Sequence, residues 1–559
     1  MLVSLEGTTF EFLLGSLTNL VINGGSGNDT LTLDFTNGSP ILPGGLTFNG
    51  GAGGIDKLAL IGDDLDDSVN YTPGSVTGSG TLTYNDGSNV LPVTISGLEP
   101  VDITAVAAVT VSGSSGADNY TLSNGFGSTM GGLIPAVVVS GKRNGVTIEA
   151  AHIWNVDSLT IDTGAGNDVI NASTISRSVV LNGGAGNDTL TGGTGNDTLS
   201  GGAGKDSLNG GTGTDSVVET TADAVMTLTN AQLTGNGTDK LASIERAVLT
   251  GTSGNNTLDA SGFTLGNVSL LGGNGNDTLV GGAFTGAADD DGLNDSLDGG
   301  AGNDVARQSS SAIRQDFTAG TNVVTGAGDD RWTSIENLHF IGTGREDMTL
   351  DASQFVGSVT LAGGFGNDVL IGGGRNNILN GNAGNDTLTG GNTADTLSGG
   401  AGNDILVGND GSDVLNGQAG SDTLRGGIGD DRMFGDEGSD LLFGGNGSDL
   451  LNGGAGGDVL TGEAGDDSIN GGDGSDVISG GSGDDQLNGG LGSDTILGGA
   501  GSDVLRSGGG ADRLSGESGD DRFIASGSGI TLGGGNDTVT GSGNRIDAVF
   551  TFDFESLLL

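Results

Sequence analysis

Apolar residues return at one fixed place in every nine from residue 363 to residue 524. This stretch of 162 residues divides into eighteen nonapeptides without insertion or deletion. Position eight is apolar in all eighteen units, mostly Leu or Ile, with Met433 and Phe523 as the larger variants. Position one is Gly in seventeen, Ser507 being the exception, and position six is Asp in seventeen, Asn377 being the exception. Typical units are Gly399-Gly400-Ala401-Gly402-Asn403-Asp404-Ile405-Leu406-Val407 and Gly471-Gly472-Asp473-Gly474-Ser475-Asp476-Val477-Ile478-Ser479. Three positions held in phase over such a length make the nine-residue period the primary feature of the chain.

Positions seven to nine read as a short strand with position eight turned inward. Glycines at positions one, two and four permit the positive φ and close backbone approach of a tight turn. The Asp at position six sets a carboxylate at the end of that turn. A strand this short holds only when each copy stacks on the next, so two nonapeptides form one flattened coil with a turn and a strand on each side. Eighteen units then give nine coils and a rod of about 43 Å. The predicted fold class is all-β, a parallel β-roll or β-solenoid.

Upstream the pattern loosens. Residues 1–155 are β-like but irregular, with alternating runs such as Leu31-Thr32-Leu33 and Val109-Thr110-Val111 between Gly/Asn/Asp turns. Early echoes of the motif stand at Gly24-Gly25-Ser26-Gly27-Asn28-Asp29 and around Gly50-Gly51-Ala52-Gly53. The expectation is a β-solenoid with longer coils; a β-sandwich is the alternative. From 156 a longer repeat appears. Val156-Asp157, Ile244-Glu245 and Ile335-Glu336 lie 88 and 91 residues apart. Each is followed by an Ala-Ser element (Asn171-Ala172-Ser173, Asp259-Ala260-Ser261, Asp351-Ala352-Ser353) and then by a nonapeptide run. This defines a module at 156–243 with a run at 183–218, a module at 244–334 with an interrupted run at 272–307, and the head of a third at 335–362. The interruption adds nine residues, including Asp289-Asp290-Asp291, read as a solvated acidic loop. The Ile-Glu and Asp-Ala-Ser elements read as turn and strand-edge features rather than ligands. After 524 the phase slips, and 525–559 reads as a cap with an acidic and apolar ending, Glu555-Ser556-Leu557-Leu558-Leu559.

Composition sharpens this picture. Of 559 residues 117 are Gly, the net charge is −53, and only 33% are hydrophobic, a profile that borders on disorder. The acidic balance argues against nucleic acid and anionic membranes and in favour of cations. No run of about 18 apolar residues suggests a transmembrane helix. There is no Cys, so disulfides play no part in stability. The first residues, Met1-Leu2-Val3-Ser4-Leu5-Glu6, lack the basic region of a secretory signal peptide. The chain begins abruptly in β-rich sequence, as a piece of a longer protein would.

The repeat G-G-x-G-x-D-x-U-x resembles that of the RTX (repeats-in-toxin) calcium-binding proteins. The resemblance covers 363–524 and the shorter upstream runs. It implies a parallel β-roll with Ca²⁺ between successive turns, bound by the position-six carboxylate and turn carbonyls. The implied ligands are Asp188, Asp197, Asp206 and Asp215 in the first run and Asp277, Asp295 and Asp304 in the second. In the long run they are Asp368, Asp386, Asp395, Asp404, Asp413, Asp422, Asp431, Asp440, Asp449, Asp458, Asp467, Asp476, Asp485, Asp494, Asp503, Asp512 and Asp521. Arg375 and Thr393 at position four and Asn377 at position six predict weak or empty sites there. Independently, carboxylates recurring at roughly 5 Å repel by about 3 kcal/mol per pair at an effective dielectric of 20. Oxygen donors without His or Cys select Ca²⁺ or Mg²⁺, and flexible turn carbonyls favour Ca²⁺. At millimolar calcium and extracellular-type affinities, about ten sites contribute of order 10 kcal/mol, the stability of a whole domain.

No catalytic constellation emerges. The two histidines, His152 and His339, lack an H-E-x-x-H motif and a nucleophile elbow, and read as half-buried strand residues. The expectation is a non-enzymatic, extracellular calcium-binding protein, a surface, matrix or adhesin component. It would leave the cell unfolded through type I secretion machinery and fold outside, with cell-surface or matrix polymers as partners. The alternative is the carrier part of a secreted toxin or polysaccharide-active enzyme whose active domain is 1–155 or lies outside this chain. A third reading, ice or carbohydrate binding along a flat face, needs a regular outward Thr or aromatic ladder.

Overall fold

The nine-residue period becomes one strand and one turn per unit. A computed structural model describes residues 101–281 apart from 130–131 and 222, and residues 347–525 without interruption. Within 2–96, 296–345 and 530–550 it describes the strands and some adjoining residues. The chain divides into two units, residues 1–271 and 272–559. Every described element is a β-strand.

In the second unit, Ile405–Asp410 pairs in parallel with Thr387–Gly391 and with Thr423–Ile428, and Leu406 stands opposite Leu424, eighteen residues on. The intervening strands, Thr396–Ala401 and Val414–Ala419, pair with one another in the same way. Alternate nonapeptides therefore build two separate parallel sheets, and two nonapeptides make one coil, as the pattern predicts. Position-eight side chains from Leu370 to Phe523 are at most 3% exposed. The core is two such columns, one from each sheet.

The strands are longer than the sequence suggests. They run through positions seven to nine and on through positions one to three of the next unit, as in Val459–Ala464. Position two can stay in the ladder because it adopts positive φ, near +102 to +122° where it is Gly from 427 to 499. Where it is not Gly, as at Gln418 and Glu463, the backbone sits at φ +73° and +76°, a left-handed conformation unfavourable for L-residues. Outward positions do not form a single-residue ladder: position seven of one sheet reads Val369, Thr387, Ile405, Thr423, Leu441, Val459, Val477, Thr495.

Outside the eighteen-residue coils, the long repeat is a coil widened by an antiparallel meander. In the first unit Val225–Thr229, Gln232–Thr234 and Thr238–Ala242 zigzag, with the outer two parallel to Thr257–Gly262 and Ser207–Asn209. In the second unit Asp316–Ala319, Val323–Thr325 and Asp330–Thr333 do the same against Thr349–Asp351 and Ser296–Asp298. The irregular region before residue 155 uses the same device twice, at Ser68–Pro73, Gly80–Asn85 and Val90–Ser96, and at Asn119–Thr129, Gly132–Arg143 and Val146–Gly164. Leu2–Leu5 pairs antiparallel with Thr8–Glu11 and Thr30–Asp34, and the remaining pairs are parallel, such as Leu20–Gly25 with Leu46–Gly51 and Val101–Ser114 with Val146–Gly164. This is the longer-coiled solenoid, not the sandwich. Val156-Asp157 does not match the later Ile-Glu elements: it lies inside the uninterrupted strand Val146–Gly164. The Asp-Ala-Ser elements are strand-end turns at Asn171 and Asp351 and an irregularity inside the strand Thr257–Gly262 at Asp259: the Oδ1 atoms of Asn171, Asp259 and Asp351 accept the amides of Ser173, Ser261 and Ser353 at 3.0, 2.9 and 2.8 Å. Asp29, the 289–291 loop, residues 533–537 of the expected cap and the ending 551–559 lie outside the described residues.

Two substitutions test this packing by urea unfolding in calcium. Leu451→Ala empties a fully buried position-eight site and is expected to cost about 2–5 kcal/mol. Glu463→Gly relieves a left-handed residue and is expected to gain about 1 kcal/mol. A loss on Glu463→Gly would contradict the position-two assignment.

Candidate metal centre

Each turn is closed by its position-six aspartate. The carbonyl of Asp404 accepts the amide of Thr423 at 2.8 Å, and its own amide donates to Oδ1 of Asp422 at 2.7 Å. Asp422 donates in turn to Oδ1 of Asp440 at 2.7 Å. One carboxylate oxygen per turn is thus committed to the backbone of the preceding coil. The other is not. From Asp368 to Asp512 the Oδ2 of every position-six aspartate is buried without a hydrogen-bond partner, as are those of Asp188, Asp206, Asp215 and Asp304.

That oxygen explains the glycine at position one. A Cβ on Gly381 would stand 2.2 Å from Asp386 Oδ2 and 2.5 Å from the carbonyl oxygen of Gly399. At Gly453 the corresponding distances are 2.4 Å to Asp458 Oδ2 and 2.5 Å to Gly471 O. Position one is glycine for space, not for positive φ, which belongs to positions two and four. The same distances show a carboxylate oxygen and a main-chain oxygen of the next coil converging beside each turn.

The sequence-predicted residues fall into ladders, one along each edge. In the first unit Asp188 and Asp206 share one edge and Asp197 and Asp215 the other, with amide-to-Oδ1 bonds of 2.7 Å in both. In the second unit Asp277 donates to Asp304 at 2.7 Å across a coil lengthened by nine residues. Asp295 lies outside the described residues. Asp197 differs from its neighbours, since its Oδ2 accepts the amide of Gly193 at 2.6 Å. At Asn377 the amide nitrogen donates to Asp395 Oδ1 at 2.9 Å and to Gly373 O at 3.3 Å, so this turn is held by hydrogen bonds alone.

Sequence reasoning missed three ladder members. Asp118 donates to Asp168, Asp168 to Asp188, and Asp206 to Asp239. Their signal was present in degraded form: Gly113-Ser114-Ser115-Gly116-Ala117-Asp118, Thr163-Gly164-Ala165-Gly166-Asn167-Asp168 and Thr234-Gly235-Asn236-Gly237-Thr238-Asp239. Asp118 is saturated by the protein, accepting the amides of Ser114 and Asn144, each at 2.6 Å. A second ladder at position five was also missed. Ser421 N donates to Asn403 Oδ1, and Ser448 N to Asp430 Oδ1, which accounts for the Asn, Ser and Asp residues that precede the position-six aspartate.

Burial dominates the electrostatics. It pushes Asp386, Asp422, Asp431 and Asp467 up to about 7 and Asp395, Asp413, Asp476 and Asp485 up to about 6, against the pull of the backbone amides. Repulsion between stacked carboxylates, which the spacing alone emphasises, comes after burial. Among the described residues no three His, Cys, Asp or Glu side chains gather as a metal cluster. The available donors are single carboxylates and main-chain oxygens, which suit a hard cation with flexible oxygen coordination.

A parallel β-roll edged by such turns is a calcium-binding β-roll. The family model for the RTX calcium-binding nonapeptide repeat matches residues 21–37, 160–174, 182–217 and 250–286, and in overlapping copies 362–523. Over these residues the chain carries RTX calcium-binding repeats, and through them it binds multiple Ca²⁺ ions. No curated protein matches it.

Two outcomes follow for the turn. Asp440→Asn can reproduce the bonding of Asn377; in EDTA it is expected to stabilise the roll by about 1 kcal/mol, and in calcium to destabilise it. Urea unfolding in calcium and the residual β-structure in EDTA, read by far-UV circular dichroism, check this, and effects of the same sign in both would contradict it. The raised carboxylates also make the calcium-free roll pH-dependent. The folded state binds protons that the unfolded state releases above about pH 4, so stability falls as pH rises toward 7. Far-UV circular dichroism in EDTA should show more β-structure at pH 5 than at pH 8, and calcium affinity should weaken below about pH 6. A flat profile would contradict the assignment.

Proposed function

We propose that this chain is a secreted, non-enzymatic structural protein that folds on meeting calcium outside the cell, as a surface, matrix or adhesin-type component. The observation that carries this reading is the unbroken series of buried, unpartnered Oδ2 atoms from Asp386 to Asp512. Each is costly without a cation, and their number makes the whole roll conditional on one. Extracellular-type sites bind at about 10⁻⁴ to 10⁻³ M. A compartment with roughly micromolar calcium leaves them empty and a millimolar one fills them, so the chain crosses an export channel unfolded and locks afterwards. The absence of cysteine suits that route, because no oxidation step is needed. The chain's two histidines, His152 and His339, sit half-buried on strands Val146–Gly164 and Asn337–Gly342, as side chains with a packing role would. Among the described residues no helix is long and apolar enough to cross a membrane.

The test is a calcium titration of the full chain from EDTA, followed by far-UV circular dichroism, with magnesium as control. A cooperative coil-to-β transition with calcium only is expected. A β signal already complete in EDTA would overturn the proposal.

A further inference from the structure

The Ile-Glu elements that end each interrupted run do more than turn the chain. Where the first run stops, at Asp215, the next coil has no nonapeptide turn to offer. The chain instead detours through the meander of 225–242 and returns at Ser243-Ile244-Glu245. Glu245 Oε2 accepts the amide of Asp215 at 2.9 Å, taking the place that Oδ1 of the next aspartate holds elsewhere. The Asp215 carbonyl accepts the amides of Glu245 and Arg246, each at 2.9 Å. A Cβ on Gly210 would lie 2.1 Å from Ser243 O and 2.5 Å from Asp215 Oδ2. This is the pairing of a main-chain oxygen and an aspartate oxygen seen at Gly381 and Gly453. Ser243 presents that carbonyl from a left-handed backbone at φ +50°.

The second unit repeats the arrangement ninety-one residues on. Asp304 donates to Glu336 Oε2 at 2.9 Å, and its carbonyl accepts the amides of Glu336 and Asn337 at 3.3 and 2.9 Å. A Cβ on Gly299 would lie 2.2 Å from Ser334 O and 2.7 Å from Asp304 Oδ2. Ser334 has φ +53°. Asp215 and Asp304 are both fully buried, and the Oδ2 of each has no hydrogen-bond partner. Residues 243–245 and 334–336 lie outside every segment matched as a calcium repeat.

We propose that Ser-Ile-Glu is a compact substitute for the nonapeptide turn and that it completes two additional calcium sites, Asp215/Ser243/Glu245 and Asp304/Ser334/Glu336. In three residues it supplies the main-chain oxygen of position one and the carboxylate of position six. Ile244 anchors it, fully buried. The ion at each site would tie the end of a nonapeptide run to the returning end of a meander, so calcium fixes the irregular coils as well as the regular ones. The left-handed serines fit this role, since strained φ values persist where the surroundings over-determine them. The inference rests on the calcium reading of the turns.

The experiment counts calcium bound per full-length chain by equilibrium dialysis at saturation, for the wild type, for Glu245→Gln with Glu336→Gln, and for Asp440→Asn as reference. Glutamine keeps an oxygen for the Asp215 and Asp304 amides, so the ladder survives, and circular dichroism in calcium checks this. The expected result is the loss of two ions in the double variant and of one in Asp440→Asn. An unchanged count in the double variant, beside a reduced count in Asp440→Asn, overturns this inference and leaves the calcium roll intact. Unchanged counts in both overturn the calcium reading itself. A calcium anomalous difference map of wild-type crystals needs no variant. Peaks beside Asp215 and Asp304 are expected, and peaks along 386–512 without them contradict the proposal.

Discussion

A carboxylate buried in each turn from Asp386 to Asp512, with one oxygen on the ladder side and the other, Oδ2, without a hydrogen-bond partner, constrains the rest of this structure. Burying an ionised group without compensation is among the costliest things a fold can do. Here it is done at every ninth residue along both edges of a roll whose core is only two side chains wide. Such a core cannot offset the ordering of eighteen residues per coil, and a series of bare carboxylates makes the deficit larger. A bound cation turns the same groups from a liability into the main source of cohesion. On the proposed reading the calcium requirement is a property of the architecture, and the glycine pattern follows from the same carboxylates. Position one lacks a side chain in all units but that of Ser507 because the carboxylate oxygen occupies that space; positions two and four reach the φ that brings the main-chain oxygens around.

Where the nonapeptides stop, the molecule does not change its plan. It widens the coil with a three-stranded meander and resumes the ladder with whatever carboxylate acceptor is at hand: Asp239 in one place, Glu245 and Glu336 in others. The continuity of the edge ladder, more than the sequence repeat, holds each unit to one register. Asn377 shows the limit of this tolerance, replacing the charge by an amide that bonds its neighbours directly.

Much of this was legible in the sequence because it is periodic. Period nine, the inward position eight and the two-unit coil could be read from Leu406, Asp404 and Gly399 alone. The six-residue strands could not, because glycine-rich positions one to three look like turn when the ladder that recruits them is out of sight. The meanders were hidden for the opposite reason: Gln232–Thr234 and Val323–Thr325 are ordinary short β segments, and only pairing reveals their direction. Asp168 and Asp239 escaped because threonine replaces the first glycine. Ser243 and Glu245 escaped because their function is carried by a main-chain oxygen and by a residue thirty positions from its partner.

The central claim is that calcium holds the position-six turns closed. Amide hydrogen exchange at Asp386 through Asp512, read residue by residue at constant pH with calcium and with EDTA, tests it most directly. From Asp386 to Asp503 these amides donate to the next coil's Oδ1, so their protection reports the ladder itself. The account predicts protection comparable to the position-eight strands in calcium, and exchange at the rate of an open chain in EDTA. Equal protection in both would mean that the roll closes its turns without the ion.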